Sequence, residues 1–180
     1  MVVKSSNGMV RFFERAGRLK LEPRRGWVLK LGMKDPESVA DHSYRVALLA
    51  MVYADLRGLD AAKVVKMALL HDLPEALVGD SVPGERTRTE KRRGEEAAMR
   101  RMLKDLPKDI SRRYSSIWEE YEEGVSEEAR LVKHVDKLEL ALQAREYRMA
   151  DRGNDVSDFF ASARKGLDDA DILRMVEGLA

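Results

Sequence analysis

The chain contains no cysteine. Disulfides, thiolate nucleophiles and cysteine-bound zinc or iron–sulfur centres are thereby excluded, and any metal ligation falls on histidine, aspartate and glutamate. Histidine is itself scarce, with three in 180 residues, which leaves little for a binuclear centre to draw on. Net charge is almost absent: 33 Lys and Arg against 32 Asp and Glu give a formal +1. No long-range field therefore steers the protein to nucleic acid, and an anion site would have to be local. Long hydrophobic runs are missing too. The longest, Val46 to Ala54, is about half of what a bilayer span needs. The start, Met1 to Gly8, lacks the apolar stretch of a signal peptide, so the chain reads as cytoplasmic. A Gly-rich phosphate loop, a Gly-x-Ser-x-Gly elbow and a His-Glu-x-x-His segment are all absent, which removes several common enzyme classes.

What remains is rich in helix formers: Ala, Leu, Glu, Lys, Arg and Met supply most of the chain. At 20.5 kDa it fits one domain able to bury about 70% of the surface of its unfolded state. Apolar spacing at three and four predicts helices over Met9 to Leu21, from Ser38 to Gly58, and from Asp60 into His71-Asp72. A short turn from Glu75 to Val78 should follow Pro74. Further helices are expected from Thr89 to Leu106, Asp109 to Glu123, Ser126 to Arg148, Val156 to Lys165, and Asp169 to Gly178. Arg24 to Pro36 shows no sustained periodicity and reads as a partly extended connection. On Met9 to Leu21 the chosen face is Val10, Phe13, Ala16, Gly17 and Lys20; on the next helix it is Val39, Val46, Ala50, Tyr53 and Leu56. Strand-like alternation does not occur, and the expected architecture is an all-α single domain over 1–180.

His71-Asp72, with His42 upstream and Asp136 downstream, is the most informative feature. Four nitrogen and oxygen donors from three segments can close around one divalent ion. Adjacent residues on a helix diverge by about 100 degrees, so His71 and Asp72 converge only at a helix end, which Pro74 supplies. Glu75 then falls near the metal without having to bind it, leaving it free for acid–base work. His134 lies about 200 degrees around the helix from Asp136 and is kept out of the ligand set. Asp136 shares a stripe with Val132 and Leu140, so its carboxylate is core-facing and needs a strong partner. Taken singly, each residue has a plainer reading. His42 is an ordinary helix histidine, Asp136 a salt-bridge partner, Glu75 and Asp80 solvated carboxylates, and Trp27 and Trp118 core anchors. Arg86, Arg88, Lys91, Arg92 and Arg93 form a charged helix face before they form a phosphate site.

Three segments taken together say more: Glu37-Ser-Val-Ala-Asp-His42-Ser, His71-Asp-Leu-Pro-Glu75-Ala-Leu-Val-Gly-Asp80 and Lys133-His-Val-Asp136-Lys-Leu-Glu. In order and spacing the chain resembles the HD-domain 5′-deoxynucleotidases, from about Leu19 through Glu146. The resemblance implies an HD fold with a motif-bearing core over about 19–146 and C-terminal helices over about 155–178 packed on it. It implies one divalent ion held by His42, His71, Asp72 and Asp136, with cobalt or manganese expected in vitro and magnesium, iron, nickel or zinc open. The implied reaction removes phosphate from deoxyribonucleoside 5′-monophosphates. Glu75 is the implied acid–base residue, with Asp72 counted beside it through the metal. Asp80 would contact the sugar 3′-hydroxyl, and Trp27 would crowd the 2′ carbon. In the family pattern an Arg stands directly before the Trp; here Gly26 intervenes, and Arg25 is favoured for phosphate over Arg24, with Lys91 assisting.

Two other readings stand beside this one. One is a related HD phosphohydrolase acting on a diester or pyrophosphate; the other is a non-catalytic metal- or nucleotide-binding helical domain. A small-molecule partner is expected, without nucleic acid or membrane. Relatives are commonly homodimers, although the stripe Ile110, Tyr114, Ile117, Trp118 and Tyr121 reads as core rather than interface.

Overall fold

A computed structural model of the chain describes residues 6–151 and 153–180. Residues 1–5, which carry most of the start read above for a signal peptide, lie outside the described residues. The helices are α1 (Ser6–Ala16), α2 (Arg25–Leu31), α3 (Val39–Arg57), α4 (Ala61–Leu70), α5 (Glu75–Val78), α6 (Arg88–Leu103), α7 (Lys108–Glu123), α8 (Glu127–Ala150), α9 (Ser157–Arg164) and α10 (Ala170–Leu179), with a 3-10 turn at Gly17–Lys20. Among the described residues the only β pairing is an isolated bridge between Pro23 and Ser38. None of the described helices is long and apolar enough to cross a membrane.

Local chemistry explains most boundaries. Ser38 accepts from the Asp41 N–H while the Asp41 carboxylate accepts from the Ser38 N–H, a reciprocal cap that starts α3. Thr87 and Glu90 do the same for α6, one residue before the expected start. Asp60, Ser126 and Asp169 each cap their helix through a single side-chain oxygen.

The 24 residues of α8 make a rod of about 36 Å, and α3, α4, α7, α9 and α10 pack against it. On one side Val132, Val135 and Leu138 meet Val46 and Ala50 of α3 and Val64, Met67 and Ala68 of α4 in one buried cluster. Phe159, Phe160 and Ala163 of α9 and Ile172 and Val176 of α10 join the same cluster from the C-terminal side. A second cluster gathers Phe12, Leu19, Leu70, Leu73, Met99, Met102 and Trp118, and so seats α1, α6 and α7 over the end of α4. Ile110, Tyr114 and Ile117 pack against it, and Tyr121 packs against the first, as a core stripe does.

Three sequence expectations are corrected. The stretch after Pro23 contains helix α2, which its own sequence does not cap: Asp80, 55 residues away, accepts the Arg25 N–H at 2.7 Å. Helix α1 turns Phe12, not Phe13, inward, and Phe13 is 63% exposed, because the core it meets lies one residue around the helix from the chosen face. On α3 Leu56 stays exposed, since the buried side of the last turn is Ala54 and Leu56 lies about 200 degrees around the helix from it.

Candidate metal centre

The site lies where α3, the α4–α5 junction and α8 converge. α4 ends at Leu70, His71 occupies its C-cap, and Pro74 precedes the single turn of α5. His71 and Asp72 thus stand on a turn rather than a regular helix, which is what lets adjacent side chains aim at one point. The Trp118 indole N–H donates to the His71 carbonyl at 3.3 Å and ties this turn to α7.

One ligand atom each from His42, His71 and Asp72 lies within 4.8 Å of the others. His71 Nε2 is 3.1 Å from Asp72 Oδ2, and His42 Nε2 is 3.6 Å from the same oxygen. Asp136 enters from α8 with Oδ1 3.1 Å from His42 Nε2. All four sequence-expected ligands are therefore brought together. The fit to a cation rests on the imidazoles. His42 Nδ1 is bonded to Glu139 Oε2 at 2.6 Å and His71 Nδ1 to the Ala68 carbonyl at 2.6 Å, while both Nε2 atoms are buried without a hydrogen-bond partner. Two orphaned ring nitrogens beside two carboxylates make a donor set suited to a borderline divalent ion.

The electrostatics point the same way. Without a cation, burial and Arg24 push the His42 pKa down, but the nearby carboxylates of Asp136, against Nε2, and Glu139, against Nδ1, outweigh them and raise it to about 10. Burial favours the neutral acids of Asp72 and Asp136, yet His71, Arg24 and His42 around Asp72, and His42, His71 and Arg24 around Asp136, hold both below the usual carboxylate range. The carboxylates thus favour positive charge at this point, the role an ion would take.

Glu75 opens α5 as a buried carboxyl, and its Oε2 has no hydrogen-bond partner. Burial first, then Asp72 and Asp80, push it well above the usual carboxylate range. That environment favours its neutral, protonated form. Asp80 follows Gly79, whose φ of +75° is costly for any side-chain-bearing residue and re-aims the chain so that Asp80 faces Arg24. Asp80 Oδ2 accepts from the Arg25 N–H and Oδ1 from the Ser81 N–H at 2.8 Å.

Arg25, expected to bind phosphate, points away from the centre. Its guanidinium pairs with Glu85 at 2.5 Å and is 42% exposed. Arg24, 18% exposed, instead points inward, 3.4 Å from Asp72 Oδ2 and 4.0 Å from Asp80 Oδ1. The reason is the start of α2 at Arg25, which rotates consecutive side chains apart by about 100 degrees. Lys91 lies 3.5 Å from Glu95; against burial, Glu95, Glu75 and Asp72 raise its pKa, so it stays charged beside the site. Trp27 sits in the core at 1% exposure, stacked on Phe159 at 3.9 Å, with its N–H donated to Glu37 Oε1 at 2.8 Å. Its ring therefore offers almost no free face to a ligand. His134 turns away to Asp168 at 2.7 Å, in line with its exclusion by angle.

Sequence reasoning missed Glu139, Arg45 and Tyr121. The Tyr121 ring stands edge-on to His71 at 5.5 Å with Lys133 over it at 4.5 Å. A signal for Glu139 was available: it lies three residues from Asp136, on the same inward stripe.

Comparison with known proteins extends the geometry. A family model described as HD domain matches residues 16–173. The chain is 40% identical over 177 residues to the mouse 5′-deoxynucleotidase HDDC2, covering 97% of this chain and 88% of that one. It is 38% identical to the human protein of the same name, covering 97% and 85%. Among solved structures, the PH0347 protein of Pyrococcus horikoshii OT3 superposes with a TM-score of 0.78 at 32% identity, over 95% of this chain and 99% of that one.

Proposed function

The chain belongs to the HD domain family, and on that premise we propose that it is a metal-dependent 5′-deoxynucleotidase, built as one domain, that hydrolyses deoxyribonucleoside 5′-monophosphates to deoxynucleoside and phosphate. The observation that carries the reading is the pair of buried, unpartnered Nε2 atoms of His42 and His71 facing Asp72 and Asp136, with a buried carboxyl at Glu75 beside them. The substrate class follows the names of the relatives, which are 5′-deoxynucleotidases in mouse and human.

His42, His71, Asp72 and Asp136 would hold the divalent ion, with cobalt or manganese the proposed choice in vitro. When bound, such an ion acidifies a water and offsets charge on a phosphate oxygen. Arg24 neutralises the phosphate dianion from the side of Asp72 and Asp80, and Lys91 adds a second positive charge. Glu75, whose surroundings favour its neutral form, delivers its proton to the leaving 5′-oxygen as the bond from water to phosphorus forms. The attacking water returns a proton to Glu75, so the carboxyl ends the cycle as it began. Asp80 is set to accept from a sugar hydroxyl with the lone pairs its two backbone bonds leave free. Trp27 acts from below, by fixing Glu37 and the floor of the site rather than by touching the sugar.

A cytoplasmic compartment and a homodimer complete the proposal. For the dimer, α3 leaves Tyr44, Leu48 and Leu56 exposed along one side, and light scattering at twice 20.5 kDa would support it.

The test is phosphate release. Metal-free protein is supplied with cobalt, manganese, magnesium or zinc and offered paired deoxy and ribo 5′-monophosphates, together with a cyclic phosphodiester. Release from the deoxy monoesters is expected. No release with any metal overturns the reading, and release from the diester alone moves it to a related hydrolase.

A further inference from the structure

Helix α8 grips His42 at both ring nitrogens. Asp136 and Glu139 stand one turn apart on the same face, with Asp136 Oδ1 3.1 Å from Nε2 and Glu139 Oε2 2.6 Å from Nδ1. Glu139 is fully buried, so its oxygens must find partners within the fold. One oxygen meets His42, and the other meets Arg45, three residues beyond His42 on α3. Arg45 donates from Nε at 2.9 Å and from Nη2 at 2.7 Å to Glu139 Oε1. The same guanidinium is held by Gln143 Oε1 at 2.5 Å and Glu146 Oε1 at 2.7 Å, the next two positions on the stripe of α8. Three polar residues at 139, 143 and 146 therefore fix one arginine, and the arginine fixes one carboxylate.

We propose that Glu139 is a positioning residue of the metal centre. Clamped by Arg45, it holds the His42 proton on Nδ1 so that the Nε2 lone pair faces Asp72 and Asp136. The proposal rests on the reading of that site as a metal centre. The two imidazoles then differ in kind. His71 Nδ1 leans on a neutral carbonyl of Ala68, whereas His42 leans on a full negative charge, which makes its Nε2 the more basic donor. The bland alternative is a salt bridge that merely joins α3 to α8. Such a bridge would affect folding stability but not the affinity of the folded protein for an ion.

The experiment compares wild type with Glu139→Gln, which keeps shape and an acceptor oxygen but removes the charge. Affinity for Co2+ is read by competition with a chromophoric chelator, and the Co2+ visible spectrum reports ligand geometry. A loss of about 10- to 100-fold in Co2+ affinity is expected, with an altered spectrum in a variant that is folded by circular dichroism. Equal affinity and spectrum would overturn the proposal. Because the variant could fail to fold, a second measurement uses wild type loaded with Zn2+. Nitrogen-15 NMR of the three histidines should place the His42 proton on Nδ1 and none on Nε2. A proton on Nε2 would overturn the positioning role by itself. Wild type that binds neither Co2+ nor Zn2+ would overturn the metal-centre reading beneath it, an outcome distinct from the other two.

Discussion

Arg24 Nη1 lies 3.4 Å from Asp72 Oδ2 across 48 residues of chain, while its neighbour Arg25 turns to Glu85. In the proposed mechanism Arg24 takes the phosphate, while Arg25 serves a surface ion pair. Arg24→Met should lower kcat/KM by about 10- to 100-fold, the usual worth of a hydrogen bond to a charged group. Arg25→Met removes a half-exposed ion pair worth about 0–1 kcal/mol and should cost less than about fivefold. Steady-state kinetics on the two variants checks this, and the reverse order would return the phosphate contact to Arg25.

Glu75→Gln should retain Co2+ affinity and lose kcat by about 100- to 10,000-fold, because a proton donor is removed while the ligand set stays intact. Normal turnover would remove Glu75 from the acid–base role.

Asp72→Ala should give a folded protein without metal and without turnover. Circular dichroism, metal analysis and the phosphate assay on one preparation separate this from a structural role, which predicts lost helicity.

Metal affinity should fall as the pH falls. With no ion present, burial and Arg24 are outweighed by Asp136 and Glu139, and the His42 pKa stands at about 10. An ion must therefore displace that proton. Each displaced proton makes apparent affinity change about tenfold per pH unit. Chelator competition between pH 6 and pH 8 should show tighter binding at the higher pH, and a flat profile would contradict it.

Glu37 gives a second pH dependence of opposite character. Burial and the nearby Glu139 raise its pKa to about 7, against His42, the Trp27 N–H and Arg24, from the ordinary 4.5. The folded state thus binds the proton more tightly than the unfolded one. This contribution is full below the unfolded value and is lost as pH rises through about 7. In metal-free protein, wild type should lose melting temperature relative to Glu37→Gln between pH 5 and pH 8. A constant difference would show that Glu37 does not titrate there.

Much of this was legible in the residues themselves. Caps at Ser38, Asp60 and Ser126, the break at Pro74 and apolar spacing are local signals, so the helices that carry His42, His71 and Asp136 could be drawn from sequence alone. The exclusion of His134 followed from helical angle and agrees with its turn toward Asp168. Helix α2 was illegible because its first N–H is capped by Asp80, and no local pattern encodes a cap from 55 residues away. For the same reason the choice between Arg24 and Arg25 was beyond the sequence. Glu139 stood on the same stripe as Asp136, but its contacts depend on α3 lying against α8 and on Arg45 arriving from that helix.

By itself the sequence determined which side chains could form the centre, since helical periodicity and capping are set by near neighbours. The tertiary structure alone decided which nitrogen of each histidine is left free, which arginine faces Asp72, and that Trp27 is buried rather than offered to a ligand. Those outcomes are fixed by side chains tens of residues away, where proximity is decided by packing and not by spacing along the chain.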